Sequence, residues 1–209
     1  PEPSRELTPA AMDETRAHTS DARARMVATQ LRGRDITDER VLAAMAAVPR
    51  EAFVRVSDRD HAYGDHPLSI GEGQTISQPY IVARMTELLA TCPGDRVLDV
   101  GTGSGYQAAV LAELGCRVTS IEREPQLAAE ASERLAVLGY ADRVTVTAGD
   151  GSLGIPDGAP WDGILVAAAA PRIPGALREQ LGEGRRLVIP VGSRREQLLL
   201  IVERHGSEW

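Results

Sequence analysis

The run Val97-Leu98-Asp99-Val100-Gly101-Thr102-Gly103-Ser104-Gly105 decides the fold. An apolar stretch interrupted only by Asp99 leads into glycines at alternate positions, and a helical pattern follows from Tyr106. Glycine lets the backbone turn sharply and approach a ligand closely. The helix that follows presents free amides and its positive dipole end to that ligand. The dinucleotide fingerprint asks for Gly or Ala three positions beyond its second glycine. Here that position is Tyr106, so a dinucleotide is not the expected ligand. A serine-hydrolase elbow needs glycine two residues before and after the nucleophile. Around Ser104 those places hold Thr102 and Tyr106, which removes that class.

Downstream, strand and helix patterns alternate. Arg96 to Val100, Val118 to Ile121, Val144 to Thr147, Gly163 to Ala168 and Arg186 to Val191 read as buried strands, and Leu198 to Val202 as a final one. Tyr106 to Leu114, Pro125 to Leu138 and Pro174 to Leu181 read as helices. Such alternation predicts an α/β fold, a doubly wound and mostly parallel sheet covered on both faces. Upstream, residues 1–20 read as a loose polar arm. Met26, Val27 and Leu31 mark a short amphipathic helix from Asp21, and Val41, Leu42, Met45 and Val48 mark a second that Pro49 ends. Residues 57–80 lack periodicity and are rich in Gly, Pro and Ser, so they read as a long loop covering a site. Ile81 to Leu89 is helical again.

The acids follow the strands. Asp99 sits two residues before the first glycine. Glu122 ends the next strand, 21 residues after Gly101, the offset at which a carboxylate accepts ribose hydroxyls. Asp150 follows the third strand in Gly149-Asp150-Gly151. Acids at successive strand ends make a polar wall suited to a nucleoside.

Composition narrows the function. With 43% hydrophobic and 25% charged residues, the 209-residue chain is that of a globular protein, and its longest apolar stretch, Ile164 to Ala170, is too short to span a bilayer. All 23 basic residues are Arg; Lys and Asn are both absent. Schiff-base and phosphate-loop lysines are therefore excluded. The net charge of −7 and the scattered Arg residues argue against a nucleic-acid partner. Cys92 and Cys116, and His18, His61, His66 and His205, show no metal-binding spacing, so no metal is expected.

The segment Gly73-Gln74-Thr75-Ile76-Ser77-Gln78-Pro79-Tyr80, together with the glycine loop, resembles the protein-L-isoaspartate O-methyltransferase family. Val48-Pro49-Arg50-Glu51-Ala52-Phe53, Gly149-Asp150-Gly151-Ser152 and Leu187-Val188-Ile189-Pro190-Val191-Gly192 extend the likeness over about Met26 to Val202. The resemblance implies a Rossmann-like class I methyltransferase with N-terminal helices and a long active-site loop. It divides residues 21–209 into a helical cap (21–92) and a core (93–209). It also implies S-adenosyl-L-methionine as cofactor, with Asp99 and Gly101, Thr102, Gly103, Ser104 and Gly105 at the methionine end. Glu122 would bind the ribose, and Asp150 with Gly151 the adenine. Gln74, Thr75 and Ile76 would lie over the cofactor. Ser77 is the family's active-site serine, expected to donate a hydrogen bond to the substrate, with Ile189, Pro190 and Val191 beside the peptide.

The implied reaction methylates the free carboxylate of L-isoaspartyl residues in damaged proteins or peptides. The ester then closes to a succinimide, which begins repair. The alternative is a tailoring enzyme that esterifies an aspartate in one partner peptide. A cytoplasmic monomer without membrane contact is expected. Two departures stand out: where the family commonly has Thr and an acid, the alanine-rich loop carries Ala167 and Arg172. The family also ends its sheet with a strand antiparallel beside the fifth. Only Leu198 to Val202 remains for it before Trp209, so that last strand reads as missing, either because the natural polypeptide is longer or because the sheet's end is incomplete.

Overall fold

The computed structural model describes residues 18–193 and 196–209, so the arm expected over 1–20 lies, up to residue 17, outside the described residues. A small hairpin, β1 (Leu68–Gly71) and β2 (Gln74–Ile76), precedes the main sheet. That sheet comprises β3 (Arg96–Val100), β4 (Arg117–Glu122), β5 (Val144–Ala148), β6 (Trp161–Val166), β7 (Leu181–Gly192) and β8 (Gln197–Glu203). Its spatial order is β5-β4-β3-β6-β7-β8. All neighbours are parallel except β8, which runs antiparallel along β7. The chain winds outward from β3 to β5 and then returns to β6 on the other side of β3. In a parallel α/β sheet, the crevice at that reversal, beyond the carboxyl ends of the strands, is where ligands bind.

Strand alternation sorts the core into two faces. Val97, Leu165 and Val188 pack on one face with the N-terminal residues Leu31, Leu42, Met45 and Phe53. Leu98, Val100, Ile164, Val166, Leu187 and Ile189 pack on the other with Leu177 and Trp161. The N-terminal segments and one face of the sheet therefore share a single core. Each fully buried Leu, Met or Phe there contributes roughly 1.5–3 kcal/mol.

The helices are α1 (Glu39–Ala47), α2 (Pro79–Leu89), α3 (Tyr106–Glu113), α4 (Pro125–Val137) and α5 (Gly175–Glu179). The helical segment before α1 ends in a π-turn, Met26–Arg32. Asp38 caps α1 by accepting from the Arg40 amide at 2.8 Å. Proline opens both α2 and α4, where its missing N–H costs nothing. Helix α3, which follows the glycine loop, is buried from Tyr106 through Ala112, so it carries no amphipathic stripe.

Three expectations are corrected. The stretch 57–80 is not one irregular loop: it contains the 3₁₀ turn Val56–His61, the β1–β2 hairpin and the start of α2. These elements are too short to generate periodicity. The hairpin turns through Gly71, Glu72 and Gly73 with φ of 107°, 48° and 67°, a conformation that glycine tolerates and Glu72 adopts unusually. Strand β7 begins at Leu181 rather than Arg186, because the chain pairs Leu181 with Trp161 and passes an irregularity before regular pairing resumes at Gly163 and Arg186. Finally, the antiparallel place beside β7, read as missing its strand, is taken by β8, from Arg186 opposite Glu203 to Gly192 opposite Gln197.

Candidate active site

The carboxyl ends of β3, β4, β5 and β6 open into a cleft of about 500 Å³, with Gln74, Thr75 and Ser77 above it. Gly101, Gly103, Glu122, Asp150 and Gly151 form one wall, and Ala167 to Ala170 the other. None of the four His residues lines it. A smaller space of about 40 Å³ adjoins it between the glycine loop and α2, lined by Ile76, Ser77, Thr102 and Ser104. Ser77 borders both spaces, so it stands where they meet.

The glycine loop is held from below. Gly101 and Gly103 have φ of 94° and 52°, and a side chain at Gly103 would press on Ile70 of β1 at 3.1 Å. The hairpin is thus seated on the loop. Gly105, at φ 90°, begins α3, and a side chain there would meet Leu135 of α4 at 3.1 Å. Gly151 has a similar constraint: a Cβ would lie 2.4 Å from Val100 Cγ1.

Glu122 is buried at the end of β4 and receives the amides of Gly103 at 2.8 Å and Glu124 at 3.1 Å. A carboxylate pinned in this way keeps one geometry at the cleft wall. Asp150 is exposed, and its Oδ1 accepts from both the amide and the hydroxyl of Ser152, at 2.9 and 2.8 Å. Those bonds hold its carboxyl below the usual range.

Asp99 is different. It does not line the cleft but is wholly buried beneath the loop. Its Oδ2 accepts from the Ser120 hydroxyl at 2.7 Å, and Ser120 and Thr102 hydroxyls lie 2.6 Å apart. Its Oδ1 is buried without a partner. Burial, reinforced by the Glu122 charge, pushes the Asp99 carboxyl up to about 7.

The expected peptide-side residues divide. Ile189 is fully buried in the core and does not border the cleft. Pro190 and Val191 are half-buried, and the Pro190 carbonyl accepts from the Ala170 amide at 3.1 Å, which fixes the alanine loop against β7. Arg172 is exposed.

Sequence reasoning missed Ser120 and Arg50. Ser120 stands opposite Asp99 in the parallel register, and a hydroxyl inside an apolar strand was its available signal. Arg50 stands inside Val48-Pro49-Arg50-Glu51-Ala52-Phe53. It is fully buried, its Nε donates to Ala62 O at 2.7 Å, and its Nη2 donates to Ser77 O at 2.8 Å. Nothing in the letters distinguishes this Arg from the solvated ones.

Comparison with known proteins agrees with this geometry. Residues 22–208 match the model of the Protein-L-isoaspartate(D-aspartate) O-methyltransferase family. The Protein-L-isoaspartate O-methyltransferase of Methanoregula boonei is 58% identical over 191 residues, covering 91% of this chain and 87% of that one. That of Koribacter versatilis is 57% identical over 185 residues, covering 88% and 83%. A solved protein-L-isoaspartate O-methyltransferase superposes with a TM-score of 0.78 at 28% identity, over 88% of this chain and 60% of that chain. A Plasmodium falciparum beta-aspartate methyltransferase in complex with S-adenosyl-L-homocysteine superposes at 0.73 and 25% identity, over 87% and 89%. An acid-walled glycine cleft under a serine segment, on this sheet and with these relatives, has one reading: the chain belongs to the protein-L-isoaspartate(D-aspartate) O-methyltransferase family.

Proposed function

We infer that the chain transfers a methyl group from S-adenosyl-L-methionine to the free carboxylate of L-isoaspartyl residues in damaged proteins or peptides, the first step of repair through a succinimide. The observation that carries this is the position of Ser77, which borders the acid-walled cleft and the adjoining space together.

The residues fit the cofactor. Glu122 offers a fixed carboxylate to ribose hydroxyls, and Asp150 an exposed one toward the adenine end. Gly151 leaves open a wall that any Cβ would crowd, and Gly101, Gly103 and the loop amides leave room at the methionine end. Asp99 supports that end from beneath, through Ser120 and Thr102. When bound, S-adenosyl-L-methionine supplies a methyl group activated by its sulfonium.

The protein then has little acid–base work to do. A substrate carboxylate has a pKa near 4, so at neutral pH it is already a nucleophile and needs no general base. What remains is alignment, which can be worth roughly 7–11 kcal/mol. Ser77 donates a hydrogen bond to the substrate carboxylate and sets its approach. Gln74, Thr75 and Ile76 cover the cofactor. Pro190 and Val191, beside the alanine loop, meet the peptide largely through its backbone, which suits substrates of varied sequence.

An isoaspartyl linkage places the carboxylate one methylene closer to the main chain than aspartate does. A fixed hydroxyl discriminates between the two, because misplacement by about 1 Å costs on the order of 100-fold. No observation favours the tailoring enzyme, and the named relatives give it no support. No helix among the described residues is long and apolar enough to cross a membrane. The acidic balance and scattered Arg support the absence of a nucleic-acid partner, and a cytoplasmic monomer is part of the same proposal. Methyl transfer to a set of synthetic isoaspartyl peptides, each beside its aspartyl twin, tests the assignment. Transfer to isoaspartyl peptides alone is expected; efficient transfer to one aspartyl peptide only would overturn it.

A further inference from the structure

We propose that Arg50 is the positioning residue of the substrate site, a buried guanidinium that sets the Ser77 hydroxyl by gripping the Ser77 carbonyl and ties it to the helix behind the glycine loop. This deepens the preceding reading and rests on Ser77 meeting the substrate.

Ser77 lies between the end of β2 and the start of α2: Gln78, at the N-cap of α2, makes no capping bond, and Asp65 receives the Tyr80 amide of the first turn at a long 3.4 Å. The Arg50 Nη2 bond of 2.8 Å anchors the Ser77 carbonyl of this link. The same guanidinium donates Nε to Ala62 O at 2.7 Å, fixing the chain that leads into the hairpin. Its carbon lies 4.9 Å from the centre of the Tyr106 ring, and Phe53 packs edge-on to that ring at 5.4 Å. Tyr106 is the first residue of α3, immediately after Gly105. One side chain thus touches the serine link, the approach to the hairpin and the helix whose amino end faces the methyl-donor site.

The arrangement is costly for stability alone. Arg50 is fully buried and its Nη1 has no partner; among the described residues no carboxylate forms an ion pair with it, and the Asp65 charge acts on it only from farther off. The nearby Glu51 carboxylate is taken by the Tyr63 hydroxyl instead. Burying a cation without an opposing charge is a large penalty, and apolar residues of similar volume commonly serve stability better. What an apolar residue cannot do is hold two carbonyls at a fixed spacing with a planar fork. Lysine cannot either, since its three donors radiate from one nitrogen on a flexible stem and lack that fixed planar geometry.

The test is a double-mutant cycle on an isoaspartyl peptide, using Arg50→Lys, Ser77→Ala and both together. Arg50→Lys is expected to lower kcat on the order of 10- to 100-fold while S-adenosyl-L-homocysteine affinity changes less than about threefold. In the Ser77→Ala background the same substitution should cost less than about threefold, because the hydroxyl it positions is gone. Arg50→Met, which fills the space without a charge to bury, repeats the cycle if the Lys variant does not fold. Full additivity, or an unchanged kcat in a folded Arg50 variant while Ser77→Ala is impaired, overturns the role of Arg50. An unchanged kcat in Ser77→Ala instead overturns the role of Ser77 on which the proposal rests.

Discussion

The two walls of the cleft are built by different means. On the side of β3, β4 and β5, the acids of the wall are held by groups next to them in the chain or across adjoining strands: Glu122 by the Gly103 and Glu124 amides and Asp150 by Ser152, while Asp99, beneath the wall, is held by Ser120. On the serine side, nothing local does this. Ser77 is steadied by an Arg that is 27 residues away in sequence, and Ala170 by the main chain of β7. A wall that meets one constant small molecule can be assembled from fixed hydrogen bonds within and between adjoining strand ends. On the proposed function, the other wall meets polypeptides; it offers small side chains and backbone, and its Ser77 link is held from outside.

The sharpest way to break this contrast is to remove that hydroxyl. Ser77→Ala should lower kcat on isoaspartyl peptides on the order of 100-fold and leave S-adenosyl-L-homocysteine affinity within about twofold. Steady-state kinetics beside calorimetric titration measures both. A parallel loss of affinity would mean that the two walls are not separate.

Glu122→Ala should give the opposite split. The cofactor side loses hydrogen bonds to a charged group, worth ~1.5–3 kcal/mol of binding, while the fold survives because Glu122 stands at the end of β4, outside the apolar core. Titration of the folded variant with S-adenosyl-L-homocysteine decides, and unchanged affinity removes Glu122 from the ribose.

A smaller effect concerns stability and pH. Burial raises the Asp99 carboxyl to about 7 when folded, far above its ordinary value near 4. Between those values the folded state binds more protons than the unfolded one. Stability from this group therefore falls as pH rises from about 4 to 7, and the full cost is present above 7. Asp99→Asn keeps an acceptor for Ser120 and cannot ionise, so it should lose on the order of 2 kcal/mol less than the natural protein between pH 5 and 8. Denaturant titrations at both pH values measure this; identical slopes would show that Asp99 does not titrate there.

The smallest effect belongs to Asp150, whose carboxylate is solvated. Asp150→Ala should weaken S-adenosyl-L-homocysteine only about three- to tenfold, also by calorimetry. A loss equal to that at Glu122 would erase the distinction between a pinned and a solvated acid on the same wall.

Much of the cofactor wall was legible because its signals are local. Strand, glycine turn and terminal acid recur in order, and β3, β4 and β5 bring Gly101, Glu122 and Asp150 together as their spacing implies. The serine wall was legible only as a resemblance. The hairpin strands Leu68–Gly71 and Gln74–Ile76 are too short for alternation to register. The resemblance sets Ile189 beside the peptide with its neighbours, yet strand alternation turns it into the core while Pro190 meets the alanine loop. Arg50 escaped because burial of an Arg depends on which carbonyls the fold brings to it, and that is a long-range property.

The three Asp–Gly steps of the chain carry a consequence of their own. Such steps are where a main-chain amide most easily attacks the preceding side chain, because glycine puts no bulk beside the attacking nitrogen. This chain has no Asn, and its Asp–Gly steps are 150–151, 157–158 and 162–163. At the first, the carboxylate is committed to Ser152 and kept ionised, which makes it a poor electrophile. At the second, the Gly158 amide donates to Ile155 O at 3.1 Å within a 3₁₀ turn. At the third, the step lies in β6, and Asp162 accepts from the Arg96 amide at 2.9 Å and pairs with Arg185 at 3.2 Å. The folded enzyme thus holds its own susceptible linkages in states that oppose ring closure, and ageing of this kind in the chain itself should begin with local unfolding.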